Sequence, residues 1–184
     1  MSLFTVLRSD YARFETKSIL HLFWRLFKYP TYRLLVCFRL LTWANKYGYM
    51  RVLLIGLRLY YYHLCNKYSI ELPIGTKVGK ACFFPHGGYV VINANAIIGD
   101  NVTLYPGVLI GTVRGKGVPT IGNNVFIGAG VKILGNVKVG DWSFICPNTV
   151  VVKDIESGSV VSGIPSKIIN MDGEKNVRLH CFIQ

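Results

Sequence analysis

Over its last two thirds, the hydrophobic positions of this chain recur every six residues. This period matches neither the 3.6-residue period of an α-helix nor the two-residue alternation of a strand. It is typical of a hexapeptide β-helix, in which each hexad forms one short strand and a turn, and three hexads make a triangular coil. Three runs keep the period: Leu72, Val78 and Phe84; Ile92, Ile98, Leu104 and Ile110; and Ile121, Ile127, Ile133, Val139, Ile145 and Val151.

A second set of inward-facing positions follows four residues after the first. Glycine frequently comes directly after the aliphatic residue, where a bending chain needs conformational freedom. From Leu72 to Gly163 there are 92 residues, and without the interruptions these make roughly five coils of 18 residues. The pattern therefore predicts a mainly β protein, a parallel β-helix. The second inward set consists of Ala96, Val102, Val108, Val125, Val131 and Val137.

The six-residue period is interrupted twice. The step from Phe84 to Ile92 is eight residues, which places two extra residues around His86-Gly87-Gly88. The step from Ile110 to Ile121 is eleven residues, so about five residues loop out there. The repeat does not explain the residues at these two interruptions, so they are the first candidates for functional residues.

Residues 1–70 lack the hexad pattern and read as α-helical. A short helix is predicted over residues 20–29, ending before Pro30. A second helix begins at that proline and extends to about residue 46, and a third covers residues 49–68. The chain thus divides into a helical segment (1–70), a β-helix (71–169) and a C-terminal tail (170–184), for which the sequence predicts no element.

The helical segment carries most of the positive charge. Residues 1–70 hold 11 Lys/Arg and 2 Asp/Glu, whereas residues 71–184 hold 10 and 7. No uncharged apolar run reaches the roughly 18 residues that span a bilayer, and no nucleic-acid-binding module accompanies the charge. Clustered aromatic and basic residues, as in 23–28 and 60–63, instead predict peripheral contact with an anionic membrane surface. The alternative is that these rings pack on the first coil or on a neighbouring subunit.

The five scattered cysteines and the absence of a signal-peptide pattern at the start predict a cytoplasmic protein. The predicted membrane contact would then be on the inner face of the membrane. Cys82 and Cys146 fall within the repeat, where a small, weakly polar side chain is ordinary.

His86 is the only histidine within the repeat. An imidazole activates a hydroxyl by accepting its proton, and a carboxylate that fixes the tautomer assists it. Glu71 lies 15 residues earlier, which is nearly one coil, so we predict that His86 and Glu71 form a catalytic pair. The alternative for a lone histidine is a turn residue without chemistry.

The motifs His86-Gly87-Gly88-Tyr89, Ile127-Gly128-Ala129-Gly130 and Gly163-Ile164-Pro165 occur in this order. With them, the chain resembles the left-handed β-helix acyltransferases of the serine acetyltransferase branch, and especially the bacterial capsule and exopolysaccharide (colanic-acid type) O-acetyltransferases. The resemblance covers roughly residues 30–169. It implies acetyl-CoA as the donor, a homotrimer with active sites between subunits, and a histidine base assisted by an acid, here Glu71.

The resemblance also implies a cofactor groove formed largely by backbone groups. It places Gly111, Thr112 and Ala129 along acetyl-CoA, with Lys153 and Lys167 near the nucleotide phosphates. A second Gly-Ala-Gly is usual one coil later, and this sequence has Cys146-Pro147-Asn148 instead.

On the acceptor side the chain departs from serine acetyltransferases. Those enzymes place an acid before the catalytic histidine and an Arg-His pair before a proline of the loop. This chain has Pro85, and Gly117-Val118 before Pro119. A desolvated zwitterion needs charged partners, so we predict a sugar hydroxyl as acceptor. Arg114 and Lys116 remain in the loop to meet an acidic sugar or the cofactor, or are simply solvated.

The sequence therefore predicts an O-acetyltransferase that transfers acetyl from acetyl-CoA to a sugar of a surface polysaccharide or its precursor. Serine O-acetylation in cysteine biosynthesis is the first alternative. A catalytically silent scaffold trimer is the second. A metal enzyme on the same fold would need three clustered histidines, and the repeat holds one, so no metal is expected.

Overall fold

A computed structural model describes residues 2–13, 29–45 and 54–181 of the chain. These residues form a parallel β-helix of five coils, with three helices before it and one after it. The helices are α1 (Leu3–Ala12), α2 (Pro30–Ala44), α3 (Ile55–Tyr68) and α4 (Gly173–Cys181). The strands are β1 (Ile70–Glu71), β2 (Lys77–Val78), β3 (Val90–Ile92), β4 (Ile97–Ile98), β5 (Thr103–Leu104), β6 (Leu109–Gly111), β7 (Thr120–Ile121), β8 (Phe126–Ile127), β9 (Lys132–Leu134), β10 (Lys138–Val139), β11 (Phe144–Ile145), β12 (Val150–Val151), β13 (Val160–Ser162) and β14 (Lys167–Asn170).

The strands stack into three sheets, one for each face of the coil. Face A contains β1, β3, β6, β9 and β12; face B contains β2, β4, β7 and β10; face C contains β5, β8, β11, β13 and β14. All pairings are parallel except that of β13 with β14. In face A the register aligns Ile92, Ile110, Ile133 and Val151 in one inward-facing row. The predicted β-helix and its approximate number of coils are confirmed.

Both predicted inward sets line the interior. Every residue of the two sets is buried except Val78, which is half-buried and packs against the same core. The six-residue period therefore reports the direct stacking of like residues in successive coils, since each row of aliphatic side chains is removed from water only by the coils above and below it.

The turns between faces B and C also stack directly, and they require glycine. A Cβ atom added to Gly99 would lie 2.5 Å from the carbonyl oxygen of Gly122, in the next coil. Beside this column, polar side chains accept hydrogen bonds from the coil before them. The Lys80 amide donates to Asp100 Oδ1 at 2.9 Å, and the Asp100 amide donates to Asn123 Oδ1 at 2.9 Å. The turn sequence thus fixes the spacing between coils.

The predicted helices are found where the structure describes them, with shorter bounds. The helix predicted to run from Pro30 to about residue 46 ends at Ala44, and the helix predicted over 49–68 is described from Ile55. The helix predicted over 20–29 lies almost entirely outside the described residues. The sequence did not predict α1, which begins after Ser2, whose hydroxyl accepts a hydrogen bond from the Thr5 amide at 3.3 Å.

A buried ion pair joins α1, α2 and the first coil. Arg39 Nε donates to Asp10 Oδ2 at 2.8 Å, and both side chains are almost fully buried. Two further guanidinium nitrogens donate to the carbonyl oxygens of Val78 at 2.6 Å and Gly79 at 2.5 Å. The Cys82 amide donates to Asp10 Oδ1 at 3.1 Å. Burial raises the pKa of the Asp10 carboxyl, although the Arg39 charge opposes this shift.

The structure describes the C-terminal tail through Cys181. Strand β14 pairs with the edge of β13, and α4 then lies across face C. Val177 and Cys181 are buried against Phe126 and Phe144, whose rings stack at 4.3 Å. The hexad pattern predicted none of this. It records the inward-facing residues, whereas α4 packs on the outward-facing residues Phe126 and Phe144.

We expect the Asp10–Arg39 pair to contribute much of the free energy that holds α1 and α2 against the first coil. In Asp10→Ala, the Arg39 guanidinium keeps its buried position but loses its carboxylate, so the free energy of unfolding should fall by about 3–5 kcal/mol. Urea denaturation measures the change. The control, Glu174→Gln, breaks the exposed pair with Arg178 and should cost less than about 1 kcal/mol. Equal, small losses in the two variants would contradict this role.

Candidate active site

His86 lies exposed in the turn that leads from face C into β3 on face A. Two backbone features shape the turn: Gly88 has a φ of 133° and Tyr89 a φ of 48°, both in the region that favours glycine. The Gly107 amide of the next coil donates to the carbonyl oxygen of Gly88 at 3.0 Å. The two extra residues predicted here therefore form a turn that projects its imidazole away from the core.

Two tyrosines that the sequence analysis missed support this turn. The Tyr105 ring lies edge-on to the His86 imidazole, with ring centres 6.3 Å apart. A Cβ atom added to Gly87 would lie 3.3 Å from Tyr68 Cβ, so the turn also packs against the end of α3. The Tyr68 hydroxyl accepts a hydrogen bond from Arg33 at 3.1 Å. The hexad frame could have located Tyr105, because Tyr105 directly follows the inward residue Leu104. It therefore occupies, one coil later, the position that Pro85 occupies after Phe84.

Glu71 lies on β1, exposed on face A, and its partner in the sheet is Val91 of β3. It is thus one coil before His86, as predicted, but it lies beside the strand that follows the turn. Among the described residues, no hydrogen bond or ion pair joins the Glu71 carboxylate to the imidazole. The structure therefore places Glu71 one coil below the strand that follows the His86 turn, and both side chains are exposed.

The turns that lead from face C into face A form one column, which we call the His86 corner (residues 85–89, 105–107, 128–130 and 146–148). The Gly130 amide donates to the carbonyl oxygen of Pro106, and the Asn148 amide to that of Ala129, both at 2.8 Å. Ala129 therefore lies two coils beyond His86, about 10 Å along the column at the usual strand spacing. Lys167 begins β14, which turns back along face C after β13, and it is exposed.

The other predicted site residues lie across face A, at a column that we call the loop corner (residues 93–95, 111–119, 135–136 and 152–154). Strand β6 connects the two corners. Its path from Gly107 to Thr112 is five residues, or about 16 Å for an extended strand. One subunit therefore does not bring the loop-corner residues to the imidazole. They are Gly111, Thr112, Arg114, Lys116 and Lys153.

The loop has no space for a side chain at the position where the resemblance would place arginine. A Cβ atom added to Gly117 would lie 2.4 Å from Asn136 Cβ, and the φ of Gly117 is 68°. Arg114 and Lys116 are exposed beside it, and the Lys116 amide donates to the carbonyl oxygen of Val113 at 3.0 Å. Arg114 and Lys116 thus provide positive charge at the loop corner, whereas Gly117 provides no charged group there.

A cleft of about 790 Å³ separates α3 from face A. Arg58 and Tyr62 line it from the helix, and Glu71 and Tyr89 line it from the first two coils. The sequence analysis did not predict this cleft, because it depends on how α3 packs on the β-helix.

The cysteines show no feature of a nucleophile. All five are free, and burial raises the pKa of the thiols of Cys37, Cys65, Cys82 and Cys146, that of Cys82 to about 12. A thiolate is therefore disfavoured at each of the four. Within the described part of the chain, no group of three or more His, Cys, Asp or Glu side chains could hold a metal ion. None of the described helices is long and apolar enough to cross a membrane.

The comparisons with known proteins agree with the fold. A family model described as "Bacterial transferase hexapeptide (six repeats)" matches residues 119–153, which extend from the end of the loop to the fifth coil. Together with the five-coil parallel β-helix and its six-residue core period, this match defines the class of protein. The chain is thus similar to the family of hexapeptide-repeat, left-handed β-helix acyltransferases.

Within this family the chain is similar to proteins named serine acetyltransferase. That of Staphylococcus aureus strain Mu50 is 48% identical over 108 residues, which are 57% of this chain and 51% of the relative. That of Synechococcus elongatus is 36% identical over 148 residues, which are 79% of this chain and 59% of the relative. The chain thus spans about half the length of the curated relatives it matches.

A solved structure extends the similarity to the helices. Serine acetyltransferase from Brucella abortus in complex with coenzyme A aligns with a TM-score of 0.73 at 27% identity, covering 90% of this chain and 67% of that chain. Such coverage includes described residues before the β-helix. The arrangement of a helical segment followed by coils is therefore shared with this relative.

Proposed function

We propose that this protein is an acetyl-CoA-dependent O-acetyltransferase. The observation that carries the proposal is the exposed His86 imidazole, held on a turn supported by Tyr68 and Tyr105 on a hexapeptide-repeat fold. The names of the relatives, and the coenzyme A bound to one of them, support acetyl transfer from coenzyme A. A catalytically silent scaffold would have no need to project an imidazole from a bulged turn.

In the proposed reaction, His86 acts as general base. Its imidazole accepts the proton of the acceptor hydroxyl while the oxygen attacks the thioester carbonyl, and it returns that proton to the coenzyme A sulfur as the C–S bond breaks. Glu71 would stabilise the imidazolium by a hydrogen bond that forms with substrates bound, since such contacts are often long in unliganded structures. The products are the acetyl ester and coenzyme A, without a covalent intermediate on the protein.

Acetyl-CoA would lie along the two corners that border face A. Gly111, Thr112 and Ala129 would contact it mainly through backbone groups, and Lys153 and Lys167 would meet its phosphates. These groups are divided between the two corners of one subunit. We therefore propose a homotrimer, in which the loop corner of one protomer faces the His86 corner of its neighbour and supplies the second wall of the groove.

For the acceptor, the comparisons favour L-serine, the acceptor that the relatives' names indicate. They do not support the surface polysaccharide predicted from the sequence. A sugar hydroxyl remains a second candidate on one observation: Pro85, Gly117 and Val118 provide no countercharge for a zwitterion, and Gly117 has no space for a side chain. L-serine is thus the first acceptor to assay.

The first prediction concerns the catalytic pair. His86→Ala should lower turnover of acetyl-CoA with acceptor by about 10²–10⁴-fold, the usual contribution of a general base. Glu71→Gln should lower kcat with little change in KM for acetyl-CoA. Steady-state kinetics measure both effects. Because neither side chain belongs to the core, sedimentation should give the same trimer mass for both variants and the wild type.

Near-normal turnover in His86→Ala would contradict the mechanism and support the silent scaffold. A monomer that stays active at nanomolar concentration would contradict the trimer.

The second prediction concerns the acceptor. We expect L-serine to be acetylated with a kcat/KM below about 10⁴ M⁻¹s⁻¹, the lower end of ordinary enzymes. Serinol, which lacks the carboxylate, should be acetylated within about tenfold of L-serine. A charged hydrogen bond to the carboxylate would contribute about 1.5–3 kcal/mol, and we expect this site to form none. L-alanine, which lacks the hydroxyl, is the control. A preference for L-serine over serinol of a hundredfold or more would establish a serine-specific site.

The third prediction concerns membrane contact, which we propose from the charge of residues 1–70 and from apolar side chains on α3. Ile55 and Leu59 are 52% and 66% exposed, and Tyr60 and Tyr62 accompany them; residues 23–28 lie outside the described part. Co-sedimentation should show binding to anionic vesicles that weakens with salt. Leu59→Ser should reduce it, and Leu179→Ser, on the exposed side of α4, should not. Equal binding to neutral vesicles would contradict the electrostatic part.

A further inference from the structure

A series of aromatic rings, which we call the aromatic ladder (Tyr105, Phe126 and Phe144), runs along face C from the predicted active site. The Tyr105 ring lies edge-on to the His86 imidazole, with ring centres 6.3 Å apart, and its centre is 5.2 Å from that of Phe126. Phe126 stacks on Phe144 at 4.3 Å, with the ring planes 2° apart. Interacting aromatic rings usually have centres about 4.5–7 Å apart, so each ring of the series contacts the next.

Helix α4 covers the far end of the ladder. The centre of the His180 ring is 5.1 Å from that of Phe144 and 5.8 Å from that of Phe126. Val177 of the same helix is buried in the cluster that contains both phenylalanines, and Tyr105 packs against this cluster. Phe126 and Phe144 point out of the coil and are nevertheless only 6% and 9% exposed, so the helix shields both rings from water.

A second contact joins α4 to the strand that leads to Tyr105. Thr103 of β5 pairs with Phe126 in the sheet, and its Oγ1 lies 3.3 Å from Cys181 Sγ at the end of α4. The same Thr103 Oγ1 accepts a hydrogen bond from Arg13 Nη2 at 2.7 Å. Because Tyr105 follows only two residues later, both its ring and its backbone are held by contacts that include the C-terminal helix.

The exposed imidazole needs such support if it is to act as a base. A histidine side chain in water can occupy several rotamers, whereas a general base must lie about 2.6–3.2 Å from the group whose proton it takes. Among the described residues, Glu71 forms no ion pair with His86. The Tyr105 ring is the neighbour that restricts the rotation of the imidazole.

We propose that Tyr105 is a positioning residue for His86 and that α4 acts on the active site through it. Tyr105 restricts the imidazole to one conformation, Phe126 and Phe144 fix the Tyr105 ring, and α4 holds these two rings against the coils. The proposal rests on the proposed role of His86 as general base and gives the C-terminal helix a part in acetyl transfer. The ladder residues take no part in the proton transfer itself.

The first test replaces Tyr105. Tyr105→Leu keeps an apolar side chain but removes the ring, so kcat should fall by about 10–100-fold, because a base displaced by a fraction of a bond length loses that much rate. The KM for acetyl-CoA should stay within about twofold. Tyr105→Phe keeps the ring and should have a kcat within about threefold of the wild type. An unchanged kcat in Tyr105→Leu, or an equal loss in Tyr105→Phe, would overturn the role of the ring.

The second test loosens α4. Val177 is 0% exposed, so Val177→Ser should weaken the attachment of the helix and lower kcat at least about threefold. Leu179→Ser, at a position of the same helix that is 67% exposed, is the control and should leave kcat unchanged. Sedimentation should give the same trimer mass for both variants and the wild type. An unchanged kcat in Val177→Ser would contradict the part played by α4.

A double-mutant cycle then tests whether α4 acts through Tyr105. If it does, the variant that carries both Val177→Ser and Tyr105→Leu should have the kcat of Tyr105→Leu alone, because the second change removes the contact through which the first one acts. Losses that multiply in the double variant would contradict coupling through the ladder.

Crystal structures of the variants separate this proposal from the proposed function. The wild type and Tyr105→Phe should show the imidazole in one conformation, whereas Tyr105→Leu should show it in several. A single, unchanged imidazole conformation in Tyr105→Leu would overturn the positioning role, even in a protein that transfers no acetyl group. Absence of transfer to any acceptor by the wild type would refute the acetyltransferase, while the crystal structures would still decide the role of Tyr105.

Discussion

The close stacking of successive coils is the constraint on which the rest of this structure depends. Each coil is buried only by its neighbours, so the inward rows must be aliphatic, and the corners must bring backbone to within van der Waals contact. Gly99 and Gly122 show the consequence, because any side chain at the first would overlap the carbonyl of the second. A chain under this constraint has little freedom inside, and its chemistry must lie at the corners.

The His86 corner shows how the coil accommodates an interruption of the repeat. Two extra residues would displace an inward side chain if the coil absorbed them. They form instead a turn that keeps Phe84 and Ile92 in the core and leaves the imidazole outside. Tyr105 and Tyr68 pack against the turn from the next coil and from α3, so the histidine is held in place without being buried. The turn thus fixes the position of the imidazole and leaves it accessible, as the proposed role of a general base requires.

The helices contribute more than a cover for the first coil. The Asp10–Arg39 pair and the Tyr61–Leu72 hydrogen bond hold them at a fixed position on the β-helix. Because α3 is fixed, the space between it and face A persists as a cleft next to the His86 turn, with Arg58 at its other end. The cleft therefore exists because the helical segment packs on the coils.

The sequence by itself determined the β-helix, its core rows and the turn at His86, because like residues stack directly on like residues and a period of six records that contact. It also indicated α2, through Pro30, and α3, with its predicted end at Tyr68. It did not reveal α1, α4, the support from Tyr105 or the cleft at Arg58. These depend on contacts between segments far apart in the chain, such as Asp10 with Arg39 or Cys181 with Thr103. No local period encodes such contacts, and only the tertiary structure decided them.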